Sequence, residues 1–187
     1  MTVQLLRRKF TVQQYHKMVE SGILTENDRV ELIRGEIIEM SPIGTKHAAC
    51  VNRLVNLLVQ LLEKLVIVAA QNPVALNDNS EPQLDVALLK PRDDFYENAH
   101  PQPEDIFLLI EVADTTVIYD REEKITLYAE ANITEIWLVD INAQVVEVYQ
   151  QPTTAGYQQI QKFTSGQNLS ISGFPDVNIT VDKIFGR

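Results

Sequence analysis

A mixed α+β domain is the fold class that the sequence predicts, and three observations predict it. Residues 47–65 carry Val51, Leu54, Val55, Leu58, Leu61, Leu62 and Leu65 at the spacing of one helical face. Residues 106–110 are consecutively apolar, which suits a central strand covered on both faces. From His47 onward the elements read helix, three strands, helix, strand, with antiparallel pieces before and after.

Taken in order, Thr11 is the N-cap of a first helix, with Gln14 completing a capping box and Phe10 and Tyr15 at staple positions. That helix ends near Gly22. Residues 29–40, RVELIRGEIIEM, predict a hairpin with Gly35 at its turn. The long helix of 47–65 follows. Residues 66–76 read as a strand ended by Asn77-Asp78-Asn79-Ser80. Residues 84–89 and 105–113 are two more strands. The stretch between them, PRDDFYENAHPQPE, is a loop long enough to be functional or mobile. Residues 120–131 form a second helix, with Asp120 as N-cap, Glu123 at N3 and Asn132 as the left-handed stop. Strands follow at 135–140 and, after the Asn142-Ala143 turn, at 145–149. The rest, through Phe163, Ile171 and Val177, reads as β extensions with a short last turn. There is no internal repeat and no linker, so residues 1–187 are expected to be one domain.

Composition narrows the function classes. With 45% hydrophobic and 22% charged residues, the chain is not a disordered one. Its 16 Lys+Arg against 26 Asp+Glu leave a net charge of −10. That balance excludes the simplest nucleic-acid binder, one coated in basic residues. A lone Cys50 forms no internal disulfide, which points to the reducing cytoplasm. The opening MTVQLLRRKF holds no apolar run of signal-peptide length. The longest apolar region, 54–70, is broken by Asn56, Gln60, Glu63 and Lys64, so no membrane span is expected.

Charges that interrupt apolar strands mark where chemistry is expected, because burying them is costly without a partner. Asp85 sits inside LDVALL, and Glu111 closes the run IFLLIEV. Carboxylates on adjacent strands can share a hard divalent cation, with the Val112 carbonyl as a further oxygen ligand. The plainer alternative is that each pairs with a lysine or arginine, or faces solvent. Glu31 is a third acid in a strand pattern. His47 opens the long helix, and Asp120 and Lys124 lie one turn apart beyond Glu111.

Asp85 followed by Glu111, in the helix–strand–strand–strand–helix–strand order, resembles the PD-(D/E)XK nuclease superfamily. More narrowly, four features resemble the Uma-type putative restriction endonuclease family. These are VELIRGEIIEMSP (30–42), His47 opening its helix, QLDVALL (83–89) and IEVADTTVIYDREEKITLYAEANITEIWLVD (110–140). The similarity runs from Phe10 to Phe185. It implies a restriction-endonuclease-like core with an N-terminal helix and hairpin and C-terminal β extensions. It implies a metal-dependent endonuclease hydrolysing DNA phosphodiester bonds, with Mg²⁺, or Mn²⁺, held by Asp85, Glu111 and Val112. A homodimer is expected, because cutting both strands suits two-fold symmetry.

Several features depart from the superfamily pattern. The usual E-x-K is here Glu111-Val112-Ala113, without the lysine. The resemblance moves that lysine to the following helix, at Lys124; the alternative is a solvated lysine paired with Asp120. The proline of the motif is displaced, in Pro82-Gln83-Leu84-Asp85. A literal Pro175-Asp176 reads as a turn. Glu31 is a metal ligand, a group supporting one, or an ion-pair partner of Arg29 or Arg34. His47 touches phosphate or metal, or else points to solvent. His16 and His100 show no partner. Tyr128 and Trp137 read as core, and Cys50 as a small buried apolar residue. The loop of 91–104 and the N-terminal hairpin are where DNA contact is expected. Two other functions compete: a catalytically inactive binding or assembly module on the same fold, and an unrelated metal- or ligand-binding domain.

Overall fold

A computed structural model describes residues 7–25 and 27–187. The first helix, α1 (Val12–Glu20), starts where its capping box requires. Gln14 N donates to Thr11 Oγ1 at 3.2 Å, and Thr11 N donates to Gln14 Oε1 at 3.2 Å. The hairpin pairs β1 (Val30–Ile33) with β2 (Glu36–Glu39). Its two turn residues, Arg34 and Gly35, both take positive φ, 50° and 77°, as a two-residue primed turn demands. Gly35 has a second reason to be glycine: a Cβ there would lie 2.8 Å from Lys9 Cβ and 3.0 Å from the Phe10 carbonyl oxygen.

The long helix is α2 (Thr45–Leu62), so His47 is its third residue. It buries Cys50, Val51, Leu54, Leu58 and Leu62. Leu65, counted on the same face by periodicity, is exposed. The α period breaks after Leu62 into one 3₁₀ turn, Glu63–Leu65.

Six strands form the central sheet, in the order β3 (Ile67–Ala70), β4 (Val86–Leu89), β5 (Ile106–Ala113), β6 (Glu135–Asp140), β7 (Val145–Thr153) and β8 (Gly156–Phe163). β5 and β6 are parallel; the other neighbours are antiparallel. The expected strand of 66–76 is corrected to its first part. At Gln71 the backbone turns left-handed, with φ 55°, and Pro73 lacks an N–H for the ladder, so the chain leaves the sheet. It returns through an isolated bridge between Pro73 and Gln83, which delivers Asp85 to the start of β4.

The unbroken apolar run of β5 is explained by two layers. Leu108, Ile110 and Val112 pack with α2, with α5 (Val181–Phe185) and with the C-terminal pair β9 (Asn168–Ile171) and β10 (Phe174–Thr180). Leu109 and Ala113 pack on the opposite face, with the helix that follows β5 and with Ile33 of the hairpin. Pro175-Asp176, read as a turn, lies within β10 at the irregularity between Phe174 and Asn178. A proline is tolerated where the ladder is already broken.

The helix after β5 differs from expectation. It starts three residues before Asp120, as α3 (Val117–Tyr119), widens into a π turn (Asp120–Lys124) and continues as α4 (Ile125–Glu130). Asp120 is therefore inside the helix and is not its N-cap. Asn132 has φ 61° and ends it as expected. Among the described residues no helix is long and apolar enough to cross a membrane.

Glu147 on β7 ties the π turn to the sheet. Arg121 Nε and Nη2 donate to its two oxygens at 3.1 and 3.0 Å, Tyr149 Oη donates at 2.5 Å, and Lys162 Nζ lies 2.8 Å away. Burial alone would raise this carboxyl, but hydrogen bonds from Arg121, Lys162 and Tyr149 overcome it and hold the pKa down to about 2. An unfolded glutamate titrates near 4.5, so the stabilisation is complete above that pH and fades as pH falls towards 2. Arg121 and Lys162 are largely solvent-screened, which limits the effect. Glu147→Gln should therefore cost about 1–2 kcal/mol at pH 7 in urea unfolding. The gap to wild type should narrow below about pH 3; a pH-independent gap would show that packing, not charge, holds the π turn.

Candidate functional site

An open cleft of about 790 Å³ lies at one end of the sheet, between the hairpin, the start of α2 and the π turn. Glu31, His47, Asp85, Glu111, Val112 and Lys124 all line it. The antiparallel register matches Val86 to Ile110, so Asp85 and Glu111 stand one step beyond the last pair on neighbouring chain segments.

Asp85 is held from two directions. Val112 N donates to its Oδ2 at 2.8 Å, and His47 Nε2 lies 3.0 Å from the same oxygen. His47 is therefore not a solvent-pointing residue. The hydrogen bond to Asp85 raises its pKa; burial works against that shift, and the charges of Asp85, Asp120 and Asp114 add to it. His47 Nδ1 is buried and has no hydrogen-bond partner among the described residues.

Glu111 is buried, at 3% exposure. The Tyr128 hydroxyl makes a short hydrogen bond to its Oε1, and Lys124 Nζ lies 3.4 Å from that oxygen. Burial pushes the Glu111 carboxyl well up, the Lys124 ammonium pulls it back, and Asp85 and Asp120 push it up again. Tyr128, read as a plain core residue, thus supplies a polar contact. It sits four residues after Lys124 on one helical face, the spacing that could have revealed it.

Lys124 is buried, not solvated. Its Nζ lies 3.2 Å from Glu31, 3.4 Å from Glu111 and 3.2 Å from the Gln83 carbonyl oxygen. Burial opposes its charge, but Glu111, Glu31, Asp120 and Asp85 together raise its pKa and keep it protonated. Glu31 pairs with this lysine and not with Arg29 or Arg34. Glu31 Oε2 also accepts from Gln83 N at 3.2 Å. Arg34 instead bridges to Glu130 at 2.6 Å.

Asp120, expected to cap a helix, is buried at 6% exposure and turned towards these groups. Its Oδ2 accepts from Thr116 Oγ1 at 2.6 Å. Burial raises its pKa, against the Thr116 hydrogen bond and Lys124. Ile125 N bonds back to the Asp120 carbonyl, the five-residue step of a π turn, and such turns recur at functional sites.

The donor set suits a hard cation. Glu31, Asp85, Glu111 and Asp120 bring four carboxyl groups, all oxygen donors, against one ammonium. Each acid is meanwhile held by a partner of its own.

The remaining histidines do find partners. His16 Nε2 lies 2.7 Å from Glu81 Oε1, and the His16 and His100 rings sit edge-on with centroids 6.2 Å apart. No local pattern pairs residues so far apart in the chain.

Comparison with known proteins gives the chain a family and a similar fold. The family described as "Uma2: Putative restriction endonuclease" matches residues 12–182. No curated protein matches. Among solved structures, a putative nuclease belonging to DUF820 from Anabaena variabilis ATCC 29413 is similar in fold, with a TM-score of 0.70. The two are 18% identical, over 95% of this chain and 98% of that one.

Removing the shared ammonium leaves buried carboxylates facing each other. Lys124→Met should therefore lose about 3–5 kcal/mol of stability. Adding Glu31→Gln should restore part of it, since one of the stranded charges is then gone. Urea unfolding of the two variants measures this, and a Lys124→Met loss below about 0.5 kcal/mol would show that the lysine is not held by these acids.

Proposed function

This chain belongs to the Uma2 family, and on that premise we propose that the cleft hydrolyses DNA phosphodiester bonds with the help of Mg²⁺ or Mn²⁺. The observation that carries the proposal is Lys124. The lysine missing two residues after Glu111 is supplied from the following helix, 3.4 Å from the Glu111 carboxylate. This favours an active enzyme over an inactive module of the same fold.

Asp85 and Glu111 would hold the cation. The Val112 carbonyl fits as a third oxygen, because the N–H and C=O of one strand residue point to the same side, and Val112 N already points at Asp85. When bound, the cation supplies positive charge to the phosphate oxygens and lowers the pKa of water beside it. Lys124, kept charged by its acidic neighbours, orients the attacking water and meets the charge that builds on phosphorus oxygens. Glu31 positions Lys124. His47 orients Asp85 from the cleft wall. The water oxygen bonds to phosphorus and gives up a proton to bulk solvent, the P–O bond to the leaving oxygen breaks, and that oxygen takes a proton from solvent. A homodimer belongs to the same reading, one cleft serving each strand of a duplex.

A plasmid-cleavage assay with Mg²⁺ or Mn²⁺ tests this. Wild-type protein should nick or linearise the plasmid, and EDTA should stop it. Asp85→Ala should reduce the rate by about 100-fold or more. Cleavage that persists in Asp85→Ala, or its absence from wild type with either metal, would sink the proposal.

A further inference from the structure

We propose that His16, Glu81 and His100 form a second cation site, for a borderline transition metal of the Zn²⁺ class, beside the cleft and sharing Glu31 and Gln83 with its wall. Their ligand atoms all lie within 4.8 Å of one another, a three-residue His/acid grouping found among the described residues. The three residues come from three segments that are each fixed independently. His16 is on α1, held by the Thr11–Gln14 box. Glu81 is anchored by its own N–H, which donates to the Leu32 carbonyl at 2.8 Å. His100 precedes Pro101, whose carbonyl accepts from Ala75 N at 2.9 Å.

Charge and donor chemistry both point to a metal. Glu81 is buried, at 4% exposure, yet among the described residues no lysine or arginine pairs with it; His16 alone does. A dry carboxylate without a full cationic partner is costly. Two imidazoles and one carboxylate are a donor set that favours Zn²⁺ and its neighbours, whereas the all-oxygen cleft favours Mg²⁺. Metal–ligand bonds of about 2.0–2.2 Å put tetrahedral ligands roughly 3.3–3.6 Å apart. The 2.7 Å contact between His16 and Glu81 would open slightly to admit the ion. The exposed His100 would swing inward to close it. A solvent-open hollow of about 430 Å³ beside these residues leaves the fourth position to water. Bound there, the ion would pin α1 and the loop of 91–104 to the segment that carries Gln83 and Asp85.

Metal binding to the full-length chain tests the site, independently of cleavage. The purified, EDTA-stripped Asp85→Asn protein, dialysed with excess Mg²⁺ to occupy the remaining cleft carboxylates, limits the cleft's share. It should take up one equivalent of Zn²⁺ in equilibrium dialysis, and Co²⁺ in its place should show the intense visible absorption of a tetrahedral nitrogen–oxygen site. His100→Ala in that background changes an exposed residue, so it should fold. It should weaken uptake at least tenfold and abolish the Co²⁺ absorption; Glu81→Gln should do the same. Absence of stoichiometric binding, or binding indifferent to His100, would overturn the proposal and leave His16 as a hydrogen-bond partner of Glu81. A cleft inactive in the plasmid assay would not affect this result.

Discussion

One ammonium group holds the cleft together. Lys124 reaches the carboxylates of Glu31 and Glu111 and the Gln83 carbonyl at 3.2–3.4 Å, so a single charge joins the hairpin, the central strand β5 and the segment before β4. Each acid would be intolerable where it stands without a cation beside it, since a buried unpaired charge is among the costliest features a fold can contain. The shape of the helix follows from this constraint. The π turn sets both Asp120 and Lys124 on the buried side, and Arg121 between them clamps that turn to Glu147 on the sheet.

Global charge and local charge carry different information here. The chain as a whole is acidic, at −10, which by itself argues against an anionic partner. Within the cleft the acids are gathered around few cations, so the local field is one that attracts divalent metal. A polyanion can approach such a site once a cation has reversed its sign.

What was legible in the sequence was whatever is set by short-range pattern. The Thr11–Gln14 box, the Arg34-Gly35 turn and the two-faced burial of β5 all follow from spacings within a few residues. Asp85 and Glu111 stood out because a charge in an apolar run has few innocent explanations. The position of Lys124 came from the resemblance, for nothing local distinguishes a buried helical lysine from a solvated one. Asp120 was misread for the same reason: a carboxylate followed three residues later by glutamate looks like a cap, and only the packing of Val117–Tyr119 shows that the helix begins earlier. The 66–76 strand was overextended because Val74 and Leu76 are apolar and buried, but they serve the core from outside the ladder. His16, Glu81 and His100 were invisible because their proximity depends on the whole fold.

The parallel pairing of β5 with β6 also has a kinetic meaning. Parallel neighbours cannot be joined by a tight turn, so their ladder closes only after the intervening helix has formed and docked. Lys124 lies in that helix, and Glu31 approaches it from near the other end of the chain. The Lys124–Glu31 pair thus closes a long loop, whose entropy must be met before the contact gains anything, whereas Lys124 and Glu111 lie within one strand–helix unit. The hairpin's side of the cleft accordingly rests on the most non-local ion pair that Lys124 makes.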